Sequence, residues 1–501
     1  MRRLSLPVGA SVVAILASAV TQGPARLGLA ATSTGGCAAT RAGLAFHGDG
    51  TVVRPQPSRA PVPCTTTTGF GGAETRVVVT SDGTVVYEPA ILTPGVGGTA
   101  YAPGAPGPHP STQLSPGGLA TTRDLGTTWN LVKPAGQTWV PQDDQLYADR
   151  STGRLYYYAL SPDPVPGGGS VPLAGQLPAG YAHLMTSPDD GATWYHTSLP
   201  GFIESENPRF SSAPAPPGGP RPAAYSPHPT VAYWCGNNML FAETYRSCYR
   251  SLDGGVSWTF ASVLYSTPVP QHAECGTNGE SFADLDPNYP QGASDGSLYT
   301  LVSCGATTFL ARSTDEGASW PIMKNRATGG PLTVPADGEL RVDPTGNLYL
   351  VNLSNTALVL RVSRDGGQTW SAPRNMTAPG VTGIVQWAMA ERGSGEVAVS
   401  YLANTAGRSV LDGYVTVTVD GLASNPVFWG VMVNDPNTPL MATSPQPARE
   451  DFIGVDIGPD RTPWAGFYAS CSSSDPDPAC AGQSSDPLAA KAVAARIALP
   501  F

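Results

Sequence analysis

The sequence predicts an all-β chain closed into a β-propeller of about seven four-stranded blades, with six blades and an extra hairpin as the alternative. Three observations carry the prediction. The pattern Ser/Thr-x-Asp-x-Gly-x-Thr/Ser-Trp occurs five times, ending at Trp129, Trp194, Trp258, Trp320 and Trp370, and so holds five of the ten tryptophans. Its aspartates, Asp124, Asp189, Asp253, Asp315 and Asp365, step by 65, 64, 62 and 50 residues, a period expected of repeated supersecondary units. Finally, 58 glycines and 51 prolines against 13% charged residues in 501 suit many short strands and turns.

Each unit is built from a hairpin placed ahead of the tryptophan turn. The hairpins are two β-rich runs joined by an Asp/Asn/Gly turn, at 75–89, 144–160, 230–244, 281–303, 339–353, 384–402 and 452–470. In the first five, a third strand, the tryptophan turn and a fourth strand follow, giving four strands per blade. The sixth unit keeps the strands "GYVTVTVD" and "VFWGVMV" without the turn motif, and the seventh offers "KAVAARIAL". Its missing last strand is expected from "LAFHGDGTVV" (44–53), which would close the ring. The domain reading is therefore a leader over 1–30, an N-terminal extension over 31–70 that supplies the closure, and the propeller over 71–501.

The turn motif explains itself locally. An aspartate accepts backbone N–H bonds within the turn, glycine permits positive φ, and the hydroxyls add short-range bonds. The tryptophan ring is then buried in the blade. These five aspartates are accordingly structural residues and not catalytic acids.

The N-terminus places Arg2 and Arg3 before an apolar run from about Leu6 to Val20, which ends in small and polar residues. That is the layout of an export signal, and the run is short for a membrane span. A secreted or cell-envelope location is expected, with no membrane association after cleavage. Lys+Arg number 28 against 38 Asp+Glu, and the leader removes three arginines and no acid. Nucleic acid and anionic membranes are thus poor partners. Only three of the basic residues are lysines, Lys133, Lys324 and Lys491, a bias that suits a GC-rich bacterial genome.

Eight cysteines in an exported chain suggest disulfides. The local pairs Cys37–Cys64, Cys235–Cys248, Cys275–Cys304 and Cys471–Cys480 are expected. No two cysteines stand at zinc-finger spacing, and no contiguous calcium loop, Gly-x-Ser-x-Gly, His-Glu-x-x-His or phosphate loop is present. No cofactor or metal is therefore assigned.

The five turns match the Asp-box (bacterial neuraminidase repeat) pattern, and the chain resembles the sialidase-like propeller superfamily over roughly residues 70 to 500. The resemblance implies boxes at the periphery and a site on the central axis. It also implies an anionic-sugar clamp of three arginines, a tyrosine nucleophile polarised by a glutamate, and an aspartate acid/base. A neutral tyrosine suits an anionic sugar, which would repel a carboxylate nucleophile. The Arg-Ile-Pro or Arg-Leu-Pro segment that carries the first arginine is absent; "SRAPVPC" around Arg59 is the nearest string.

If the first strand of each hairpin is innermost, its start lines one mouth of the channel. Those starts hold Glu74 and Arg76, Asp143 and Asp144, His228, Glu280, Glu339 and Arg341, Gln386 and Trp387, and Arg449, Glu450 and Asp451. Period-two spacing places Glu74 with Arg76, Glu339 with Arg341, and Arg449 with Asp451 on a common face. One reading has Arg76, Arg341 and Arg449 binding an anionic sugar beside Trp387, with Asp144, Glu280 or Asp451 as acid/base and Tyr401 as nucleophile. The other pairs each arginine with a neighbouring acid, so that the groups merely neutralise a crowded channel. The functions that follow are an exo-acting glycosidase of sialidase type, or a non-catalytic propeller binding a glycan or an exported protein. A monomer is expected.

Overall fold

The computed structural model describes residues 31–32, 43–53, 61–71, 75–88, 118–132, 134, 142–161, 180–202, 209–214, 229–240, 243–266, 271–280, 289–441, 453–471, 475, 477, 480 and 490–499. They form seven blades around a central channel. The inner strands, in order, are Arg76–Val79, Gln142–Ala148, Arg209–Pro214, Gln291–Gly292, Glu339–Val342, Val381–Glu391 and Gly454–Ile457. Each touches the next, and Gly454–Ile457 touches Arg76–Val79, so the ring is complete.

Within a blade the strands run antiparallel from the channel outward. Blade 6 is the fullest example: Val381–Glu391, Val397–Thr405, Leu411–Thr418 and Val427–Met432 pair in sequence. Apolar residues on both faces of the middle strands fill the space between blades. Phe46, Tyr349, Leu360, Val399, Tyr401 and Phe428 share one such cluster between blades 5 and 6. The second and third strands are accordingly buried along most of their length, as strands covered on both faces must be.

Closure differs from the sequence expectation in one respect. The strand that completes blade 7 is Val62–Gly71, which pairs with Ala490–Ala498 and so joins the two ends of the chain. Residues 44–53 instead form a small hairpin, Leu44–His47 with Val52–Val53, on the outer edge of blade 6. Phe46 is the reason for that placement: it is buried and packs on Phe428 with ring centroids 5.7 Å apart. The threonine-rich run 65–68 suits the closing position, because Thr66 and Thr68 face the interior while Thr65 reaches the Val433 carbonyl at 2.6 Å.

Blade 3 also departs from the hairpin reading. Its inner strand is Arg209–Pro214, so the hairpin expected at 230–244 supplies the second and third strands, Thr230–Leu240 and Glu243–Ser251. Blade 4 has an inner strand of only two residues, Gln291–Gly292.

The five Asp boxes share one geometry. In the last, Asp365 Oδ1 accepts from Ser363 Oγ at 2.8 Å and Thr369 N at 2.9 Å, and Oδ2 from Thr369 Oγ1 at 2.7 Å. Burial would raise this carboxyl, but those bonds outweigh it and hold it below its ordinary value. The box glycine has a second duty beyond its positive φ of 85°. A Cβ on Gly367 would lie 2.4 Å from Leu310 of the preceding blade, and one on Gly255 would lie 2.2 Å from Thr186. The boxes thus set the spacing between blades as well as closing their own turns.

Disulfides link Cys235 with Cys248, Cys275 with Cys304 and Cys471 with Cys480, as the spacing suggests. Cys37 of the fourth expected pair lies outside the described residues, as do residues 1–30 of the expected leader.

Candidate functional site

All seven inner strands or the turns that follow them line one cavity of about 330 Å³ on the channel axis, within the range of small-ligand sites. Its walls carry Arg76, Arg150, Arg209 and Arg341 together with Asp149, Glu391 and Asp456. Inner strands place these groups because alternate residues of a strand must face the channel.

Each arginine reaches another blade, Arg150 and Arg209 through acids there. Arg150, in the turn after the blade 2 inner strand, donates from Nη2 to Asp456 Oδ1 of blade 7 at 2.7 Å. Its Nη1 reaches the carbonyl of Glu391 in blade 6, and that residue's Oε1 at 3.3 Å. Arg209 of blade 3 donates from Nη1 to Glu339 Oε1 of blade 5 at 2.6 Å. Arg341 bonds the same Glu339 and the Met389 carbonyl, the latter at 3.1 Å. Arg76 donates from Nε to Gln145 Oε1 at 3.0 Å and from Nη1 to the Ile453 carbonyl at 3.1 Å.

Burial is the largest single influence on these groups, and their neighbours of opposite charge oppose it. It raises Glu391 to about 7, against the pull of Arg150 and Arg341 and with the repulsion of Asp343 and Asp456. Arg150 moves the other way for a guanidinium near acids: burial would lower it, but Asp456 and Glu391 raise it overall. Burial lowers Arg341 despite Glu339, with Arg209 and Arg150 nearby. The Oε2 atom of Glu391 is buried and has no hydrogen-bond partner among the described residues.

Of the residues singled out in the sequence, Arg76 and Arg341 come together on this cavity. Asp143 and Asp144 lie in the blade 2 inner strand, although their side chains are outside the described residues. Glu74, His228, Arg449, Glu450 and Asp451 are outside them altogether.

Four others do not line the cavity. Tyr401 belongs to the second strand of blade 6, where its ring stacks on Tyr414 at 5.3 Å and its hydroxyl accepts from Ala378 N at 2.9 Å. Burial raises that hydroxyl well above the usual tyrosine range. Trp387 is half-buried against the same cluster, and Gln386 accepts from the Tyr468 hydroxyl at 2.8 Å. Glu280 accepts from His272 N at 2.6 Å, from Ser266 N at 3.1 Å, and faces His272 Nδ1 at 2.7 Å. The opposite imidazole nitrogen, Nε2, faces the Trp320 carbonyl at 2.8 Å, so this pair fastens a loop to the outer part of blade 4.

Arg150, Arg209, Glu391 and Asp456 were not visible as site residues in the sequence. Three of them lie near or just beyond the ends of inner strands, whereas the strand starts define the mouth in the sequence reading. Arg209 opens a strand hidden in a proline- and glycine-rich stretch. The turn strings "ADRSTGR" and "AERGSGE", each with an acid–arginine pair, are the signals that could have found Arg150 and Glu391.

The family of the BNR/Asp-box repeat matches residues 361–372, the fifth of the boxes. No curated protein matches the chain. Among solved structures, a mutant NanB sialidase of Streptococcus pneumoniae is 11% identical, with 84% of this chain and 81% of that one covered and a TM-score of 0.39. The Trypanosoma rangeli sialidase with the inhibitor DANA is 12% identical, covering 75% of this chain and 56% of that one at a TM-score of 0.36. A fungal fucose-recognising lectin of Aleuria aurantia, a six-bladed propeller, is 11% identical over 74% of this chain and 98% of that one, with a TM-score of 0.38. At such identities and scores the argument rests on the repeats and ring of this chain itself. Five Asp boxes of one geometry, one of them matched by the repeat family, in a closed ring of seven blades make the chain a seven-bladed β-propeller carrying BNR/Asp-box repeats.

Proposed function

We propose that this is an exported glycan-binding propeller whose ligand occupies the central channel. The observation that carries the reading is the state of the channel arginines. Arg76, Arg150, Arg209 and Arg341 hold one another's neighbouring blades through carboxylates, an amide and carbonyls. They form a fixed polar wall and not an open clamp for a substrate carboxylate. Tyr147, the one tyrosine on the described lining, bonds Ser212 Oγ at 2.7 Å, and burial raises its hydroxyl. The glycan part of the reading comes from the Asp-box class of the repeats. Export is supported by the three disulfides, and among the described residues no helix is long and apolar enough to cross a membrane. Arg449, Asp144 and Asp451 remain candidates for the mouth by their place in the chain, and we take the protein to act as a monomer.

A second reading, an exo-acting glycosidase, is favoured by one observation: Glu391 is held at about 7, where a general acid works well. A glycan array probed with the purified protein, alongside fluorogenic sialosides and neutral glycosides, separates the two. We expect saturable binding of at least one glycan with no released fluorophore. Turnover of any glycoside would replace the binding reading with the hydrolytic one.

A further inference from the structure

We propose that the channel prefers an uncharged, hydroxyl-rich saccharide over an anionic one, and that Glu391 enters the complex as a carboxylic acid donating a hydrogen bond to a ligand oxygen. This deepens the binding reading and rests on it. Glu391 lines the cavity, its Oε1 is engaged by Arg150, and its Oε2 is buried without a partner among the described residues. A buried carboxylate oxygen left unpaired is costly, and a proton on it shared with a ligand oxygen removes that cost.

The internal bonds of the arginines around it point to a neutral ligand. Arg150 is bonded to Asp456 and Glu391, Arg209 and Arg341 to Glu339, and Arg76 to Gln145 and the Ile453 carbonyl. A ligand carboxylate would meet guanidinium groups already committed to internal acids, an amide and backbone carbonyls. A sugar hydroxyl or ring oxygen needs only a donor, and protonated Glu391 is one. The groups facing Glu391 are Arg150 of blade 2, Arg341, Asp343 and Tyr349 of blade 5, Asp456 of blade 7, and Arg392 beside it. Against that field Glu391 still titrates at about 7, so both protonation states are populated near neutrality.

Isothermal titration with a panel of neutral methyl glycosides and with N-acetylneuraminic acid, at pH 6 and pH 8, tests the proposal. For a group titrating at about 7, affinity for the best neutral glycoside should fall about tenfold from pH 6 to pH 8, with proton uptake on binding at the higher pH. Glu391→Gln cannot titrate and should flatten that dependence. The unliganded protein labelled with carboxyl-13C glutamate should show one resonance, missing in the variant, titrating near neutrality. Binding that does not change with pH, tightest binding of N-acetylneuraminic acid, or a Glu391 resonance that titrates near 4 to 5 would each overturn the proposal while leaving the channel as a glycan site. A protein that binds no member of any glycan class overturns both, and only that result removes the underlying reading.

Discussion

A chain that begins at Thr75 loses its cooperative unfolding transition. Val62–Gly71 is the outer strand of blade 7, and without it Ala490–Ala498 becomes an open edge with Val493 and Ile497 on its buried faces. Trp129 of blade 1 also loses its partner, since its Nε1 donates to Thr66 Oγ1 at 3.0 Å. Because the strand joins residues more than 400 positions apart, no local contact replaces it. The expected loss is comparable with the whole net stability of a domain, about 5–15 kcal/mol. Calorimetry of the shortened chain should show no sharp endotherm, and adding a peptide of residues 61–71 in excess should restore part of it. A shortened chain melting like the full chain would mean that closure is not what holds the ring.

Arg150→Met gives the second large effect. The guanidinium is the shared countercharge of Asp456 and Glu391, and removing one partner of a buried ionic group costs about 3–5 kcal/mol. The sign of the pH dependence follows from Glu391. Its native value, about 7, is already above the ordinary glutamate value. A carboxyl raised in the native state favours folding at low pH, and that contribution is lost as pH rises through its native value. Without Arg150 the carboxyl moves higher still. Urea denaturation at pH 6 and pH 8 should therefore show the variant penalised more at pH 8. Equal penalties at the two values would mean that Glu391 is not coupled to Arg150.

Much of this architecture was legible because its signals are local. In each Asp box the hydroxyl, aspartate, glycine and second hydroxyl bond one another within a few residues, as Ser251, Asp253, Gly255 and Ser257 do. Four strands per unit then follow from spacing. The closing strand was not legible, because pairing between Thr66 and Ala494 is a long-range choice that "PVPCTTTTGFG" does not announce. The extension over 31–70 was expected to supply the closure through residues 44–53 instead. The blade 3 inner strand was hidden as well, lying before a stretch rich in proline and glycine.

The site was legible only where it depends on strand starts. Arg76 and Arg341 open or nearly open their inner strands, and period-two alternation places both on the channel. Alternation alone does not say which strand of a hairpin is innermost, and Tyr401 lies on the second strand of its blade. Nor does it say which end of the channel gathers charge. Arg150, Glu391 and Asp456 meet there because three separate blades converge on the axis, a closeness that exists only once the ring is closed.

The most direct test of the account is a plug in the channel. Ser294 is exposed, lines the cavity, and sits in the short turn after the blade 4 inner strand. A tryptophan there fits the turn and fills the space a ligand would need. Titration of Ser294→Trp with the glycan that the wild-type protein binds best, after confirming an unchanged melting temperature, should show at least a tenfold loss of affinity. Undiminished binding by a folded Ser294→Trp protein would place the ligand elsewhere and contradict a channel site.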